Sequence, residues 1–532
     1  MIKVELAYNQ GFPWHSRDGC HVRGYILSGK NVYLSGNSLL DYFLRAHDYF
    51  EFIALLTEAD GMFSVILTKE EKVFLATDRI RTLPLFYAVS GQNSIISDSV
   101  DRLHEVRGSW ELDQQASMEF LATGFVTGRE TLSKDIFQVQ AAEAIYIEPG
   151  KIHQRLYATY QTSLAGQPSF DGLLNGLERM TTKVFKRLAA SLQGRTAIIA
   201  LSGGFDSRFI AAMLKRLAYP RVICFTYGRE GNPDMIISRK VAESLGFQWI
   251  PVVYTEALVE GFLQDNTFYD YVRYTSNWVS MFFMQEYFAL RYLKEQQLIP
   301  GDSVFIPGHS GDFFAGSQFI KHGIAAGDES IKRISKRIWE IKYNLCKPSL
   351  DSRRIMMSRI CRTLMEKRFV DNARSWSVYE DWDLKEKLAK FIVNSCNVYA
   401  WFGYEYRLPF YDVAFQEFFR DVPYAYKLNK KLYDSFLVNG LFKEYGLNQP
   451  NEIQPGARIQ RMAKLKRNLK KMIPERFLPS LPPRQDPIFY YEITRILQED
   501  MAEKGIRINI RGRSYNSLIV QWYIEYLKRL QY

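Results

Sequence analysis

Cysteine is scarce in this chain. Its five cysteines among 532 residues, Cys20, Cys224, Cys346, Cys361 and Cys396, form no C-x-x-C pair. That scatter excludes a zinc ribbon and a disulfide framework and fits a reducing cytosol. Long apolar runs are missing too: none approaches the roughly 18 to 20 residues of a bilayer span. Met1-Ile2-Lys3-Val4-Glu5 lacks both the charged and the apolar region of a secretory signal, so a cytoplasmic protein is expected. Gly-Lys-Ser/Thr, Gly-x-Gly-x-x-Gly and Gly-x-Ser-x-Gly do not occur, which removes a Walker loop, the dinucleotide fingerprint and a nucleophile elbow. What remains is a globular composition, 47% hydrophobic and 15% aromatic, long enough for two or three ordinary cores.

The net charge is +11, densest between Arg458 and Arg476, where Arg461, Lys464, Lys466, Arg467, Lys470 and Lys471 fall close together. A solvated helix face with Ile459, Met462, Leu465, Leu469 and Met472 turned inward is the favoured reading, and no nucleic-acid partner is expected. Contact with an anionic membrane surface is the alternative.

The most informative stretch is Thr196 to Ala218. A short apolar run, Thr196 to Ala200, leads into Ser202-Gly203-Gly204-Phe205-Asp206-Ser207, after which Phe209, Ile210, Met213, Leu214 and Leu217 recur at helical spacing. Strand, tight loop and helix follow in that order, with the helix expected to start near Ser207. Two glycines let backbone approach an anion, the helix directs free N–H groups at it, and Ser202 and Ser207 add hydroxyls. Asp206 beside phosphate is repulsive unless a magnesium ion bridges them. The alternative is that Asp206 or Ser207 only caps the helix. The loop resembles the PP-loop, Ser-Gly-Gly-x-Asp-Ser, of the ATP pyrophosphatases. That resemblance implies cleavage of ATP between its α and β phosphates, so that a carboxylate becomes an acyl-adenylate.

Residues 1–155 read as β-rich, with runs His21 to Leu27, Met62 to Thr68, Val73 to Thr77 and Ala144 to Ile147, and with helices sparse. Asp60-Gly61-Met62-Phe63-Ser64-Val65-Ile66-Leu67, then Asp78-Arg79 and Pro84-Leu85-Phe86-Tyr87, resemble the later half of the glutaminase domain of asparagine synthetases. The resemblance implies an N-terminal-nucleophile fold, yet the place of its cysteine holds Ile2, and no Arg-His-Arg-Gly-Pro or Asn-Gly-Glu-Ile-Tyr-Asn segment occurs. Cys20 could take the nucleophile's place only after cleavage at Gly19; an ordinary thiol is the better reading.

Beyond the loop, Arg221 to Tyr227 and Phe247 to Val253 read as strands around a helix from Asp234 to Leu245, which Gly246 stops. Such alternation means a parallel sheet with ligands at the carboxyl ends of its strands. Thr226-Tyr227-Gly228 matches in place the segment against which the family holds adenine. Leu258 to Leu293 reads as aromatic-rich helices of the core, Ser303 to Ile306 as a strand. Pro307-Gly308-His309-Ser310-Gly311-Asp312 then resembles the family's second phosphate loop, in which Asp312 falls on the second magnesium ligand and Phe313 replaces a glutamate. The slot of His309 carries glutamate in asparagine synthetases and tyrosine in β-lactam synthetases, so His309 is a candidate base for the attacking nitrogen. Residues 317–395 are a basic, helix-prone insertion that could reshape the acceptor site. Tyr404-Glu405-Tyr406-Arg407-Leu408-Pro409-Phe410-Tyr411-Asp412 resembles Glu-Ala-Arg-x-Pro-Phe-Leu-Asp, which makes Glu405 the expected orienter of His309 and leaves Arg407 and Asp412 as a possible ion pair. A family lysine is expected near 450 to 466, where Arg458, Lys464 and Lys466 lie. Tyr515 to Leu530 reads as an amphipathic helix docked on the core.

These readings converge on an α/β chain with an α+β front: an N-terminal-nucleophile-like domain over 1–155, a parallel-sheet PP-loop domain over 170–480 with its insertion, and a helical extension over 481–532. The implied activity is an asparagine-synthetase-like ligase using ATP and magnesium, a small-molecule carboxylate, and ammonia or an amine, with a separate ammonia source possible. Aspartate amidation is the family default. Amidation of a sugar uronate, a peptide macrolactam ligase and a nucleotide-binding pseudoenzyme are the alternatives.

Overall fold

The computed structural model describes residues 2–28, 32–163, 166, 168–327, 329–346, 348–366, 370–448, 486–506, 508 and 514–530. The basic stretch 458–476, and with it Arg458, Lys464 and Lys466, lies outside them.

Eleven strands open the chain: β1 (Ile2–Glu5), β2 (Trp14–Arg17), β3 (Cys20–Ser28), β4 (Val32–Ser35), β5 (Gly61–Lys69), β6 (Lys72–Thr77), β7 (Phe86–Ser90), β8 (Asn93–Ser97), β9 (Phe137–Gln138), β10 (Glu143–Glu148) and β11 (Lys151–Leu156). They build a four-stranded sheet, β1-β8-β7-β9, and a seven-stranded sheet along β11-β10-β6-β5-β3-β2 with β4 beside β3. Because side chains alternate along a strand, Val65 and Leu67 of β5 pack with Phe43 and Phe52 on one face. Ile66 meets Leu85, Tyr87 and Ile96 on the other. Burial on both faces explains the continuous apolar reading of β5.

Helices are not sparse here, contrary to the sequence reading. Four occur: α1 (Asn37–Leu44), α2 (Tyr49–Glu58), α3 (Val100–Arg107) and α4 (Gln114–Thr123). Their stops and starts are ordinary. Asp48, Ser99 and Asp113 accept from Glu51, Arg102 and Ala116 backbone N–H groups, and left-handed Gly108 and Gly124 end α3 and α4. Cys20 is fully buried, facing Leu67 across the β3–β5 pair.

The second region begins with α5 (Phe170–Ser191), followed by β12 (Ala197–Ala200), α6 (Phe205–Arg216), β13 (Val222–Gly228), α7 (Pro233–Leu245), β14 (Gln248–Val253), β15 (Val304–Phe305) and β16 (Glu405–Tyr406). All five strands are parallel, in the order β14-β13-β12-β15-β16. The chain runs outward from β12 to β14 and returns to the other side of β12 as β15. Strand order therefore reverses at β12, and a crevice opens at its carboxyl end, where open α/β sheets bind ligands. Ile198, Ile199, Phe209, Ile210, Met213 and Leu214 are fully buried around this strand.

The insertion is helical, over Ser317–His322, Ile331–Lys342, Leu350–Glu366, Ser375–Asp383 and the wide-turned Leu384–Val393. Its apolar residues, among them Ile338, Met356, Ile360 and Trp382, form a core with Met118 and Ala122 of α4. Buried Glu119 of α4 anchors that packing by accepting from Arg359 at 2.9 Å and from the Tyr343 hydroxyl at 2.6 Å. The insertion thus joins the β-rich region. The C-terminal helix Tyr515–Leu530 is docked as expected: Trp522 and Tyr523 are fully buried, and the Tyr523 hydroxyl lies 2.5 Å from Ser276 Oγ.

Candidate active site

The carboxyl ends of β12, β13 and β15 open into one cleft of about 320 Å³, within the range of small-molecule sites. Ser202, Gly204, Asp206, Ser207, Thr226, Gly308, His309 and Asp312 all line it. The loop after β12 is shorter than the sequence suggested, because α6 begins at Phe205 with Gly204 as its N-cap. Neither Asp206 nor Ser207 caps the helix, and among the described residues no side-chain cap hydrogen bond closes its first turn. The first-turn N–H groups therefore face the cleft with the positive end of the helix dipole. Within the loop, Ser207 Oγ accepts from the Ser202 N–H at 3.1 Å, Ser202 Oγ accepts from the Gly204 N–H at 3.2 Å, and Asp234 of α7 accepts from the Gly203 N–H at 2.8 Å.

The second loop approaches so closely that two glycines are required. A Cβ on Gly308 would stand 2.7 Å from the Ser207 nitrogen; one on Gly311 would stand 2.6 Å from the Tyr433 hydroxyl and 3.0 Å from Asp206 Oδ1. This approach brings the Asp312 N–H within 3.0 Å of Asp206 Oδ2, while the Tyr433 hydroxyl donates to Asp206 Oδ1 at 2.7 Å. Burial, and then the charge of Asp312, push the Asp206 carboxyl up to about 7; the bonds from Tyr433 and Asp312 and the Lys430 cation oppose that push. A divalent cation between the two carboxylates would relieve their repulsion, and hard oxygen donors suit magnesium. Among the described residues no group of three or more His, Cys, Asp or Glu forms a self-sufficient metal cage. The two aspartates fit an ion whose remaining ligands are phosphate oxygens and water.

His309 stands on the cleft wall, and desolvation pushes its imidazole down to about 4. His309 as a whole is half-buried in that wall. Glu405 is not beside it. Register pairs Glu405 with Val304 at the entrance of β15, whereas His309 follows the strand's exit. β15 covers only Val304–Phe305, and His309 lies four residues past its end in the loop that enters the cleft. Glu405 instead accepts from Arg195 at 2.5 and 3.2 Å and from Arg407 at 2.7 Å. Burial would raise its carboxyl, but the Arg407 and Arg195 cations hold it below the ordinary range. The expected pair of base and orienter is therefore corrected: Glu405 clamps the amino ends of β12 and β16. Arg407 and Asp412 are not paired either. Arg407 also holds the Ser191 carbonyl at 3.2 Å, and Asp412 pairs with Arg187 at 3.1 Å while capping the helix Val413–Arg420.

No described residue of the insertion 317–395 lines this cleft; its described apolar residues pack against α4 instead. The sequence reading missed Asp234, Glu286, Lys430 and, behind Asp206, Tyr433. Asp234 had a local signal as the acidic first-turn residue of a helix after a strand. Glu286, Lys430 and Tyr433 had none, because long stretches of chain separate them from the loop they join.

Over residues 191–443 the chain matches the family model for asparagine synthase, and over residues 41–158 the model for a glutamine amidotransferase domain. It is 27% identical over 205 residues to a probable glutamine-hydrolysing asparagine synthetase of Acanthamoeba polyphaga mimivirus, and 29% identical over 210 residues to the glutamine-hydrolysing asparagine synthetase of Homo sapiens. Each match covers 37% of this chain and 35% of the relative. A glutamine phosphoribosylpyrophosphate amidotransferase from B. subtilis aligns with 46% of this chain and 74% of its own at 11% identity, with a TM-score of 0.19. With the PP-loop, the second aspartate loop and the two matched regions in one chain, this protein belongs to the asparagine synthase family and carries an N-terminal glutamine amidotransferase domain.

Proposed function

We propose that the chain is an ATP-dependent, pyrophosphate-releasing amide ligase that adenylates a carboxylate and passes it to ammonia or an amine. The observation that carries this reading is the meeting of Asp206 and Asp312 beside an N-terminus of α6 left free of any side-chain cap. Those N–H groups, with the Ser202 and Ser207 hydroxyls, would hold and orient phosphate. Asp206 and Asp312 would hold magnesium, which when bound neutralises phosphate charge as it is redistributed. Lys430, on the same cleft wall, would put a cation near the departing pyrophosphate. His309 is the nearest candidate to accept a proton from the attacking nitrogen, and its low proton affinity suits a neutral acceptor better than a strong base.

The companion proposal is that this chain does not itself hydrolyse glutamine. Cys20 is the sole cysteine before Cys224. It is fully buried, and desolvation pushes its thiol up to about 12. A thiol so placed is a poor nucleophile. Aspartate remains the default carboxylate, with a sugar uronate as an alternative. The decisive experiment is carboxylate-dependent exchange of labelled pyrophosphate into ATP with magnesium, across aspartate, uronates and peptides. Exchange with one carboxylate class supports the ligase and identifies its substrate; no exchange across the panel refutes it in favour of a nucleotide-binding pseudoenzyme.

A further inference from the structure

One acidic group in the cleft has no part in the chemistry above. Glu286 immediately precedes the helix Tyr287–Glu295 and lines the same cleft as the phosphate loop and Thr226, yet it is only 6% exposed. Its neighbours come from five elements, and none of those that act on it is a cation. The Tyr227 hydroxyl of β13 is 3.5 Å away and the Tyr399 hydroxyl of helix Asn397–Trp401 bonds to it. Tyr254 beyond β14, Tyr271 of helix Asn266–Ser276, Tyr490 of helix Tyr490–Glu503 and Cys396 all feel its charge, and burial holds every one of their protons above its ordinary value. Neutral groups therefore surround a buried carboxyl. Such an arrangement is costly unless a ligand completes it.

The position of Glu286 indicates which ligand. Tyr227 adjoins Thr226, and the nearby lining, Leu201, Phe225, Tyr227, Phe283 and Ile488, is apolar or aromatic. Flat apolar walls with one hydrogen-bonding group on the rim suit a heteroaromatic ring. We propose that Glu286 reads the nucleotide's base by facing the amino-bearing edge of adenine. The inference rests on the reading that this cleft holds ATP.

The hydrogen-bond inventory supports the match. Adenine presents an N6 amino donor beside the N1 acceptor. A protonated carboxyl offers the complementary acceptor and donor, whereas a carboxylate can only accept. Burial pushes the Glu286 carboxyl up to about 7, against the pull of the Tyr399 and Tyr227 hydroxyls, so the protonated form is available near neutral pH. A glutamine side chain offers the same donor and acceptor at every pH.

The test is a coupling measurement on the full chain. Dissociation constants with magnesium are determined by calorimetry for ATP and for purine riboside triphosphate, which lacks the N6 amino group. The wild type should bind ATP about three- to tenfold more tightly, as expected for one or two hydrogen bonds. Glu286→Ala should bring the two constants together, and Glu286→Gln should keep the preference. Glu286→Met, closer in volume, replaces the alanine variant should that one fail to fold. A preference unchanged in both apolar variants overturns the inference while leaving the ligase reading intact, and assigns Glu286 to packing or to the acceptor amine. A wild type that binds neither nucleotide refutes the ligase reading and this inference together.

Discussion

In the first 155 residues the single cysteine is sealed inside a β-sheet, its thiol facing Leu67, whereas in the parallel-sheet region two aspartates from separate loops share a cleft under a free helix N-terminus. Both regions match their family models, and both bury well-packed cores. The difference lies in what each task demands. A β-sandwich needs only alternating apolar residues and capped helices, which many sequences supply. A site needs particular atoms at particular places, and one changed side chain can empty it without disturbing the fold.

The largest expected effect tests the intact side of that contrast. Asp206→Asn and Asp312→Asn should each reduce pyrophosphate exchange by about 10²- to 10³-fold, since each removes a carboxylate that would hold the magnesium ion facing the developing phosphate charge. Wild-type exchange at limiting magnesium should also fall as the pH is lowered, because the Asp206 carboxyl, raised by burial and by Asp312 in the ion-free cleft, must lose its proton to bind the ion. Full exchange in both variants would show that the metal lies elsewhere. Gly311→Ala comes next. Its Cβ would press on the Tyr433 hydroxyl and on Asp206, and the resulting shift should cost roughly 10- to 100-fold in exchange.

A smaller effect separates His309 from Glu405. His309→Ala should leave exchange nearly intact and slow amide formation by about tenfold, less than a well-matched base would contribute, because desolvation keeps the imidazole weakly basic. Glu405→Gln should do something different. Loss of the carboxylate between Arg195 and Arg407 should lower stability by about 1 to 2 kcal/mol, seen as a lower melting temperature, with the ratio of amide formation to exchange unchanged. A shared defect in amide formation would restore the coupling that their places on the sheet deny. The smallest effect concerns the β-rich side. Glutamine-derived ammonia should stay at background in the wild type and in Cys20→Ala alike; a signal lost in the variant would mean that the buried thiol becomes accessible and acts.

Much of the fold was legible because its signals are local. The strand, loop and helix around Ser202–Ser207 announce themselves by periodicity and by contiguous glycines, and β13, α7 and β14 appear within two residues of where apolar spacing put them. The four N-terminal helices escaped notice although Asp48, Ser99 and Asp113 marked the starts of three of them, because each spans only 8 to 10 residues and a short apolar run does not declare its period.

By itself the sequence determined which polar groups the two loops carry, since Ser202, Asp206, Ser207 and Asp312 sit in contiguous motifs with neighbours one to four residues away. It also determined the alternation of strands and helices, which reflects which face of each element must be buried. Only the tertiary structure decided which end of the sheet each side chain reaches. Glu405 and His309 stand beside the same pair of strands, β15 and β16, but at opposite ends, and the register that separates them is a long-range contact. The same holds for the insertion, whose apolar stripe could cover any complementary surface and covers α4. It holds for Glu286, Lys430 and Tyr433, which enter the site because packing carries their distant segments to it. Local pattern sets what a residue can do, whereas partner and place follow from the burial of surfaces far apart in the chain.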